Sequence, residues 1–225
     1  MRHCELQLLS INAAAARPLQ VGNKQLNTGL FKQPVSGPVT ITAAGVPGDQ
    51  IINRKFHGGP DQALYLYSRE DSDWWAGQLQ RELEPGFFGE NLSISRWWAD
   101  LRVGDRLQIG QVLLEITAPR MPCAVMASRV GNPAFLKAFI RAERSGAYAR
   151  VLEPGQLCAG DAIEVVPAPG DYPRVQDIFR YWHAKGHNAD FLRQVLRAPI
   201  AMILREALEQ QLEQADATTG QLPGL

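Results

Sequence analysis

The stretch GDRLQIGQVLLEI, residues 104–116, decides the fold. It holds two short apolar runs, residues 107–109 and 112–116, and the Gly104-Asp105 pair in front of them is typical of a turn that enters a strand. Short apolar runs between turn residues predict strands, because a helix needs a longer stretch with 3.6-residue periodicity. We therefore expect a β-hairpin here.

The same pattern continues on both sides, up to residue 166. Further apolar runs between turns predict strands at residues 6–11, 39–42, 63–67, 148–152 and 163–166. Two helices interrupt them. Ser68 with Asp71 resembles a capping box before the first helix. Asn132 opens the second helix and Gly146 ends it. Because strands and helices do not alternate regularly, the predicted fold class is mostly β, a β-barrel with inserted helices.

A proline-rich segment divides the chain. Residues 167–173, PAPGDYP, hold three prolines in seven residues, which neither a helix nor a central strand tolerates. Apolar residues then recur with helical spacing in three stretches, which predicts a small C-terminal three-helix domain. We expect a barrel domain over residues 1–166, a linker over 167–173, the helical domain over 174–213 and a flexible tail over 214–225.

Composition and charge exclude several functional classes. The chain has 225 residues, and 23 Lys and Arg balance 23 Asp and Glu. It therefore lacks the overall positive charge with which nucleic-acid and anionic-membrane binders attract their partners. No apolar run approaches the roughly 20 residues of a membrane-spanning helix. The three cysteines fit neither a disulfide framework nor a zinc ribbon, which favours a reducing, cytoplasmic setting.

The segment RKFHGGPDQA, residues 54–63, is the first candidate for chemistry. Arg54 and Lys55 supply positive charge, and Gly58 and Gly59 let backbone N–H groups approach an anion. The segment lacks the GK[ST] ending of a P-loop, and a plain turn explains the glycines equally well. It indicates either a site for phosphate or a similar anion, or a turn.

Cys123 is the second candidate. It ends PRMPC, residues 119–123, after an apolar strand and before a short predicted helix at residues 124–128. A thiol close to Arg120 and at a helix N-terminus is partly thiolate, the form that binds soft metals or attacks carbonyls. The alternative is a small buried hydrophobic residue, which is how we interpret Cys4 and Cys158.

The segment FGENL, residues 88–92, is the third candidate. It places the Glu90 carboxylate and the Asn91 amide in a loop after Pro85-Gly86. Such side chains more often close backbone hydrogen bonds in a turn than act on a ligand. From these residues alone, a structural role is favoured over a functional one.

Taken together and in this order, the segments HGGPDQAL (57–64), FGENL and PRMPC, with Gly104-Asp105, resemble the MOSC domain. This family is named for the C-terminal domain of molybdenum cofactor sulfurases. The resemblance covers residues 5–166, and the helical stretch after the linker makes the whole chain similar to bacterial YiiM-type MOSC proteins. It implies a MOSC-type β-barrel that binds the molybdenum cofactor, a molybdopterin whose dithiolene sulfurs hold the metal.

The resemblance also implies roles for individual residues. Cys123 matches the family cysteine and is the expected metal ligand, in agreement with a soft thiolate. The charges of Arg54, Lys55 and Arg120 suit the phosphate of the pterin. Gly58 and Gly59 are expected to bind the cofactor. The other expected pocket residues orient ligands or donate and accept protons; they are His57, Asp61, Glu90 and Asn91. Of these, His57 and Asp61 join Cys123 as expected catalytic residues.

YiiM-type proteins are associated with the reduction of N-hydroxylated compounds, including hydroxylaminopurines, to amines. The resemblance therefore implies a molybdenum-dependent oxidoreductase. The sequence holds neither a four-cysteine ferredoxin segment nor a G-x-G-x-x-G motif, so an external flavin reductase is the expected electron donor. Two alternatives stay open: a sulfurtransferase with persulfide on Cys123, and a non-catalytic cofactor carrier. A cysteine hydrolase built on Cys123 and His57 fits those residues alone.

Overall fold

The computed structural model describes residues 6–54, 57–184 and 188–220. Its strands are β1 (Leu8–Ala13), β2 (Arg17–Val21), β3 (Lys24–Thr28), β4 (Gln33–Pro34), β5 (Val39–Ile41), β6 (Leu64–Ser68), β7 (Leu92–Ile94), β8 (Arg106–Ile109), β9 (Val112–Pro119), β10 (Ala147–Glu153), β11 (Gly155–Leu157) and β12 (Ile163–Val166). Its helices are α1 (Arg69–Leu79), α2 (Ala124–Val130), α3 (Phe135–Ala142), α4 (Val175–His183), α5 (Ala189–Arg197) and α6 (Met202–Gly220). Every predicted strand is present, with small displacements at its ends.

Eight strands form one mixed sheet in the order β12-β8-β9-β10-β6-β7-β1-β4. Its neighbouring strands are antiparallel, except for the parallel pair β6 and β7. The two sides of the sheet meet at a bridge between Gln7, before β1, and Ala162, before β12. Beside this bridge the N–H of Leu8 donates to the carbonyl of Asp161 at 2.9 Å. These contacts join β12 to β1, as the predicted barrel requires.

The hairpin predicted from residues 104–116 lies within this sheet. Its two strands are β8 and β9, which pair in an antiparallel register with Ile109 opposite Val112. Alternate residues of each strand face the apolar core, as expected for a sheet with one buried face. Strand β9 then continues to Pro119 along β10. It thereby brings Arg120 and Cys123 to one end of the sheet.

The two inserted helices are present, and the second begins later than predicted. Ser68 caps α1 as predicted, because its hydroxyl accepts the N–H of Asp71 at 3.1 Å. The second predicted helix corresponds to α3, in which Ala134 rather than Asn132 occupies the N-cap position. The carbonyl of Asn132 accepts the N–H of Phe135 at 3.0 Å. Asn132 therefore closes a turn in front of the helix instead of capping it.

The helix α3 also ends earlier than predicted, at Ala142 rather than at Gly146. Glu143 follows it in a left-handed conformation with φ 54, so a non-glycine residue closes this helix. Gly146 has φ +67, and a Cβ there would lie 2.6 Å from the carbonyl oxygen of Leu66. Glycine is required at this position by the close approach of the chain to β6, not by the end of the helix.

The C-terminal helices pack against the sheet and share one apolar core with it. Val175 of α4 and Leu192 of α5 are buried in the same cluster as the strand residues. The linker is also fixed, because the N–H of Ala168 donates to the carboxylate of Asp105 at 2.7 Å. Residues 214–220, predicted to belong to a flexible tail, continue α6 as a helix. The division into separate domains stays a prediction.

The sequence pattern does not predict the hairpin of β2 and β3, whose side chains are mostly exposed and do not alternate between apolar and polar. The guanidinium of Arg17 lies 3.4 Å from the ring centroid of Phe31. Arg129 of α2 stacks on the same ring at 4.7 Å. These contacts hold the hairpin beside α2. Within the described ranges, no helix is long and apolar enough to cross a membrane.

Candidate functional site

A cavity of about 460 Å³ lies between the hairpin of β2 and β3 and the sheet end that carries Cys123. This volume is within the range of roughly 300–1,000 Å³ that is typical of small-molecule and cofactor sites. The structure brings five predicted site residues together in its wall: His57, Gly58, Asn91, Arg120 and Cys123. Residues that the sequence analysis did not select also line it, among them Lys32, Gln62, Tyr65 and Tyr148.

Cys123 occupies the N-cap position of α2, with an extended backbone at φ −136 and ψ 164. Its side chain makes no capping hydrogen bond to the helix. The thiol is free and partly exposed, and it is the only thiol among the described residues that line the cavity. The sulfur is therefore available to a ligand, and sulfur is the donor that soft metals prefer.

Arg120 is a buried cation in the cavity wall, with 7% of its surface exposed. Its Nη1 donates to the hydroxyl of Tyr148 at 3.2 Å, and its guanidinium lies 4.6 Å from the ring centroid of Tyr65. Its Nε is buried and has no hydrogen-bond partner in the part of the chain that the structure describes. A buried donor on a permanent cation is suited to an anionic acceptor of a ligand.

The charge of Arg120 is favoured by its neighbours. Burial by itself disfavours the charged form, but Tyr148, Tyr65 and Cys123 together favour it more, so the pKa of Arg120 lies above its ordinary value. The guanidinium therefore stays positive at neutral pH.

His57 lies in the same wall and is uncharged. Its Nδ1 lies 3.2 Å from the hydroxyl of Tyr148. Burial, and next the positive charge of Arg120, lower the pKa of His57 to about 4. The imidazole is therefore neutral at pH 7, because burial and a nearby cation both disfavour its charged form.

A buried ion pair supports another part of the wall. Lys32 pairs with Asp49, and Nδ2 of Asn91 donates to the same carboxylate at 2.9 Å. The Oδ1 of Asn91 accepts the N–H of Tyr65 at 3.2 Å. Burial lowers the pKa of Lys32, although Asp49 opposes this shift. Asn91 thus positions both the ion pair and strand β6.

The glycine pair is only partly in the cavity. Gly58 has φ +80, and a Cβ there would lie 3.1 Å from the Ile51 side chain, so this position favours glycine. Gly59 has the same φ but does not line the cavity. Gln62 follows in a short 3-10 turn, and its buried Oε1 has no partner among the described residues. It offers an acceptor to a ligand that carries an N–H or O–H group.

Asp61 does not line the cavity, and its predicted catalytic role stays a prediction. Its Oδ1 lies 3.1 Å from Nε of Arg150 on β10. Its Oδ2 accepts the N–H of Met202, the first residue of α6, at 2.9 Å. Because both oxygens are engaged between the barrel and α6, Asp61 joins these two parts of the molecule.

Glu90 is buried in the loop before β7 and does not line the cavity. It accepts the N–H of Phe88 at 3.0 Å and the hydroxyl of Ser93 at 3.1 Å. Burial raises the pKa of Glu90, although its backbone hydrogen bonds oppose this. Arg54 is exposed and also lies outside the cavity wall. Lys55 lies outside the described residues.

The donor set fits the molybdenum cofactor. The cavity offers the soft sulfur of Cys123 and the buried cation of Arg120, and it also offers the Oε1 acceptor of Gln62. Among the described residues, Nε of Arg120 and Oε1 of Gln62 have no hydrogen-bond partner. The three side chains suit a soft metal, an anionic group and the N–H groups of a pterin, respectively. Of the cations predicted to hold the pterin phosphate, Arg120 lies in the wall and Arg54 does not, and Lys55 lies outside the described residues.

Comparisons with known proteins identify the family to which the chain is similar. Residues 53–164 match the family model of the MOSC domain. A protein named reductase from Gibberella moniliformis is 30% identical over 218 residues, which are 94% of this chain but 38% of that protein. Protein YiiM from Escherichia coli is 28% identical over 160 residues, 69% of this chain and 71% of YiiM.

A solved structure is also similar to this chain. The crystal structure of YiiM from Geobacillus stearothermophilus matches with a TM-score of 0.75 and 25% identity, over 92% of this chain and 99% of that chain. The three sequence segments lie in the region that matches the family model. The chain therefore belongs to the MOSC domain family.

Proposed function

We propose that the protein binds the molybdenum cofactor in this cavity and reduces N-hydroxylated compounds, such as hydroxylaminopurines, with electrons from an external flavin reductase. One observation carries the proposal: a free thiol, Cys123, and a buried cation, Arg120, line the same cavity. Membership of the MOSC family and similarity to a protein named reductase support it.

Different residues of the cavity are placed to bind different parts of the cofactor. Cys123 is placed to give a soft metal its protein sulfur. Arg120 is placed to hold an anionic group, because its Nε lacks a partner among the described residues. When bound, the cofactor supplies two-electron removal of oxygen from nitrogen. The net reaction, R–NHOH plus two electrons and two protons to R–NH2 and water, is balanced by the external donor and solvent.

His57 contributes as a neutral group. With a pKa of about 4 it carries no charge at pH 7. It can therefore orient a ligand through a hydrogen bond without adding positive charge beside Arg120.

The test is expression in a host that makes the cofactor, followed by molybdenum and pterin analysis and an assay of hydroxylaminopurine reduction with NADH and a flavin reductase. We expect equimolar molybdenum and turnover. Arg120→Gln should lose pterin and metal. The matched control is Arg69→Gln, an exposed arginine paired with Asp73 on α1, which should lose neither.

Other outcomes would replace the proposal. Removable sulfur on Cys123 without turnover would indicate a sulfurtransferase. Bound cofactor with neither sulfur transfer nor turnover would indicate a carrier. Protein from a competent host that holds no molybdenum and no pterin would refute cofactor binding itself.

A further inference from the structure

Three side chains form a hydrogen-bonded row along the cavity wall. Nη1 of Arg120 lies 3.2 Å from the hydroxyl oxygen of Tyr148, which in turn lies 3.2 Å from Nδ1 of His57. All three residues line the cavity. Tyr148 is therefore the link between the cation and the imidazole.

The chemistry of Arg120 fixes the direction of the first hydrogen bond, and the need of the phenol proton for an acceptor favours one direction for the second. A guanidinium has only donors, so the Tyr148 oxygen accepts from Arg120. The phenol proton is then free to donate to Nδ1 of His57, which gives each hydrogen bond of the row one donor and one acceptor. If Nδ1 carried the proton instead, the phenol proton would have no acceptor among the described residues, an arrangement that buried polar groups avoid.

The sheet holds Tyr148 at this place. Its neighbour across the sheet is Ala118, and the pairing of β9 with β10 is irregular between Tyr148 and Ala149. At the irregularity the hydroxyl of Thr117 donates to the carbonyl of Asp61 at 2.6 Å and lies 3.2 Å from the carbonyl of Tyr148. Such irregularities next to functional sites redirect side chains.

We infer that Tyr148 is a positioning residue that keeps the proton of His57 on Nε2, so that His57 presents an N–H donor to an acceptor atom of the ligand. The inference rests on the proposed function, because it assumes a ligand in this cavity. The state of His57 in the free protein, however, can be measured without any ligand.

The experiment is nitrogen-15 NMR of histidine side chains in the full chain without cofactor at pH 7. The chain has four histidines, and the signals lost in His57→Gln identify His57. We expect Nδ1 unprotonated and Nε2 protonated. In Tyr148→Phe the population of the Nδ1–H form should rise roughly fivefold, the effect of losing one hydrogen bond.

Tyr67→Phe is the matched control. Tyr67 is also a fully buried tyrosine, and its hydroxyl donates to the carbonyl of Arg144 at 3.0 Å. It does not line the cavity. This variant should leave the His57 signals unchanged, whereas a general loosening of the core would move them in both variants.

Two results would overturn the inference: a wild-type His57 protonated on Nδ1, or a folded Tyr148→Phe protein with the wild-type tautomer ratio. If Tyr148→Phe does not fold, the wild-type spectrum alone decides. In the cofactor-loaded enzyme, Tyr148→Phe should lower kcat only in proportion to the Nε2–H form that is lost, a smaller change than the rise of the Nδ1–H form. Absence of turnover in the loaded wild type would refute the proposed function and leave the tautomer result standing.

Discussion

Replacing Cys123 by serine separates the chemistry of this residue from its place in the fold. Cys123 is the N-cap of α2, and its side chain makes no capping hydrogen bond. Serine is among the best N-cap residues, and its oxygen can accept an N–H of the first turn, which is worth ~0.5–1 kcal/mol. The same oxygen is a hard donor in place of a soft sulfur. We therefore expect Cys123→Ser to be slightly more stable than the parent and to lose bound molybdenum.

Calorimetry and metal analysis of three variants measure both effects. Cys123→Ala removes the sulfur without adding a capping oxygen, so it should melt roughly 2–4 °C below Cys123→Ser while losing molybdenum equally. Cys158 lies outside the cavity wall, and Cys158→Ser should keep its molybdenum. Full metal content and turnover in a folded Cys123→Ser protein would refute the role as ligand. A serine variant that melts below the alanine variant would refute the capping argument.

Three further predictions concern stability. Asp61→Asn should cost ~1–3 kcal/mol of unfolding free energy, because it weakens the link to α6, but leave molybdenum content unchanged; metal loss at full stability would contradict this. Folding lowers the pKa of His57 to about 4, so as the pH falls the imidazole of the unfolded chain takes up a proton before that of the folded chain does. The free energy of unfolding, measured by urea titration, should therefore drop by ~2 kcal/mol from pH 7 to pH 5, and by less in His57→Asn. Gly146→Ala should cost ~2–4 kcal/mol by the same titration, and the control Gly131→Ala, which has a similar φ but open space around it, only ~1 kcal/mol; equal losses would refute the clash with Leu66.

Local patterns predicted those parts of the fold and site that depend on neighbouring residues. The hairpin of β8 and β9 follows from short apolar runs between turns. The placement of Cys123 before α2 follows from a strand that ends at Pro119 and a helical stretch after it. The proximity of His57, Asn91 and Cys123 was expected only from the resemblance to a family, because no local pattern relates segments so far apart.

The missed residues are set by long-range pairing. Tyr148 looks like an ordinary strand residue, and only its register opposite Ala118 and Tyr65 brings it to the cavity. Lys32 is a single cation in a polar stretch, and its importance comes from burial against Asp49. Neither residue carries a signal in its own segment. Sequence reasoning could have found them only with knowledge of which strands pair.

Asp61 shows that a compact motif can place its side chains on different sides of a turn. The side chains of His57 and Gln62, at the two ends of this short segment, lie in the cavity wall. The side chain of Asp61, between them, lies at the start of α6 instead. A carboxylate beside a histidine and glycines looks catalytic in the sequence because their spacing does not show this change of direction. The segment therefore serves two purposes, one on each side of the turn.

This arrangement gives the C-terminal helices a place in the support of the site. The N–H of Ala201, directly before α6, donates to the carbonyl of Thr117 at 3.1 Å. Thr117 in turn donates through its hydroxyl to the carbonyl of Asp61 and touches the carbonyl of Tyr148. The start of α6 thus contacts both the turn that carries His57 and the irregular part of β9 that aims Tyr148. These hydrogen bonds support the cavity wall close to both His57 and Tyr148. The C-terminal helices therefore stabilise the wall, although none of their described residues lines it.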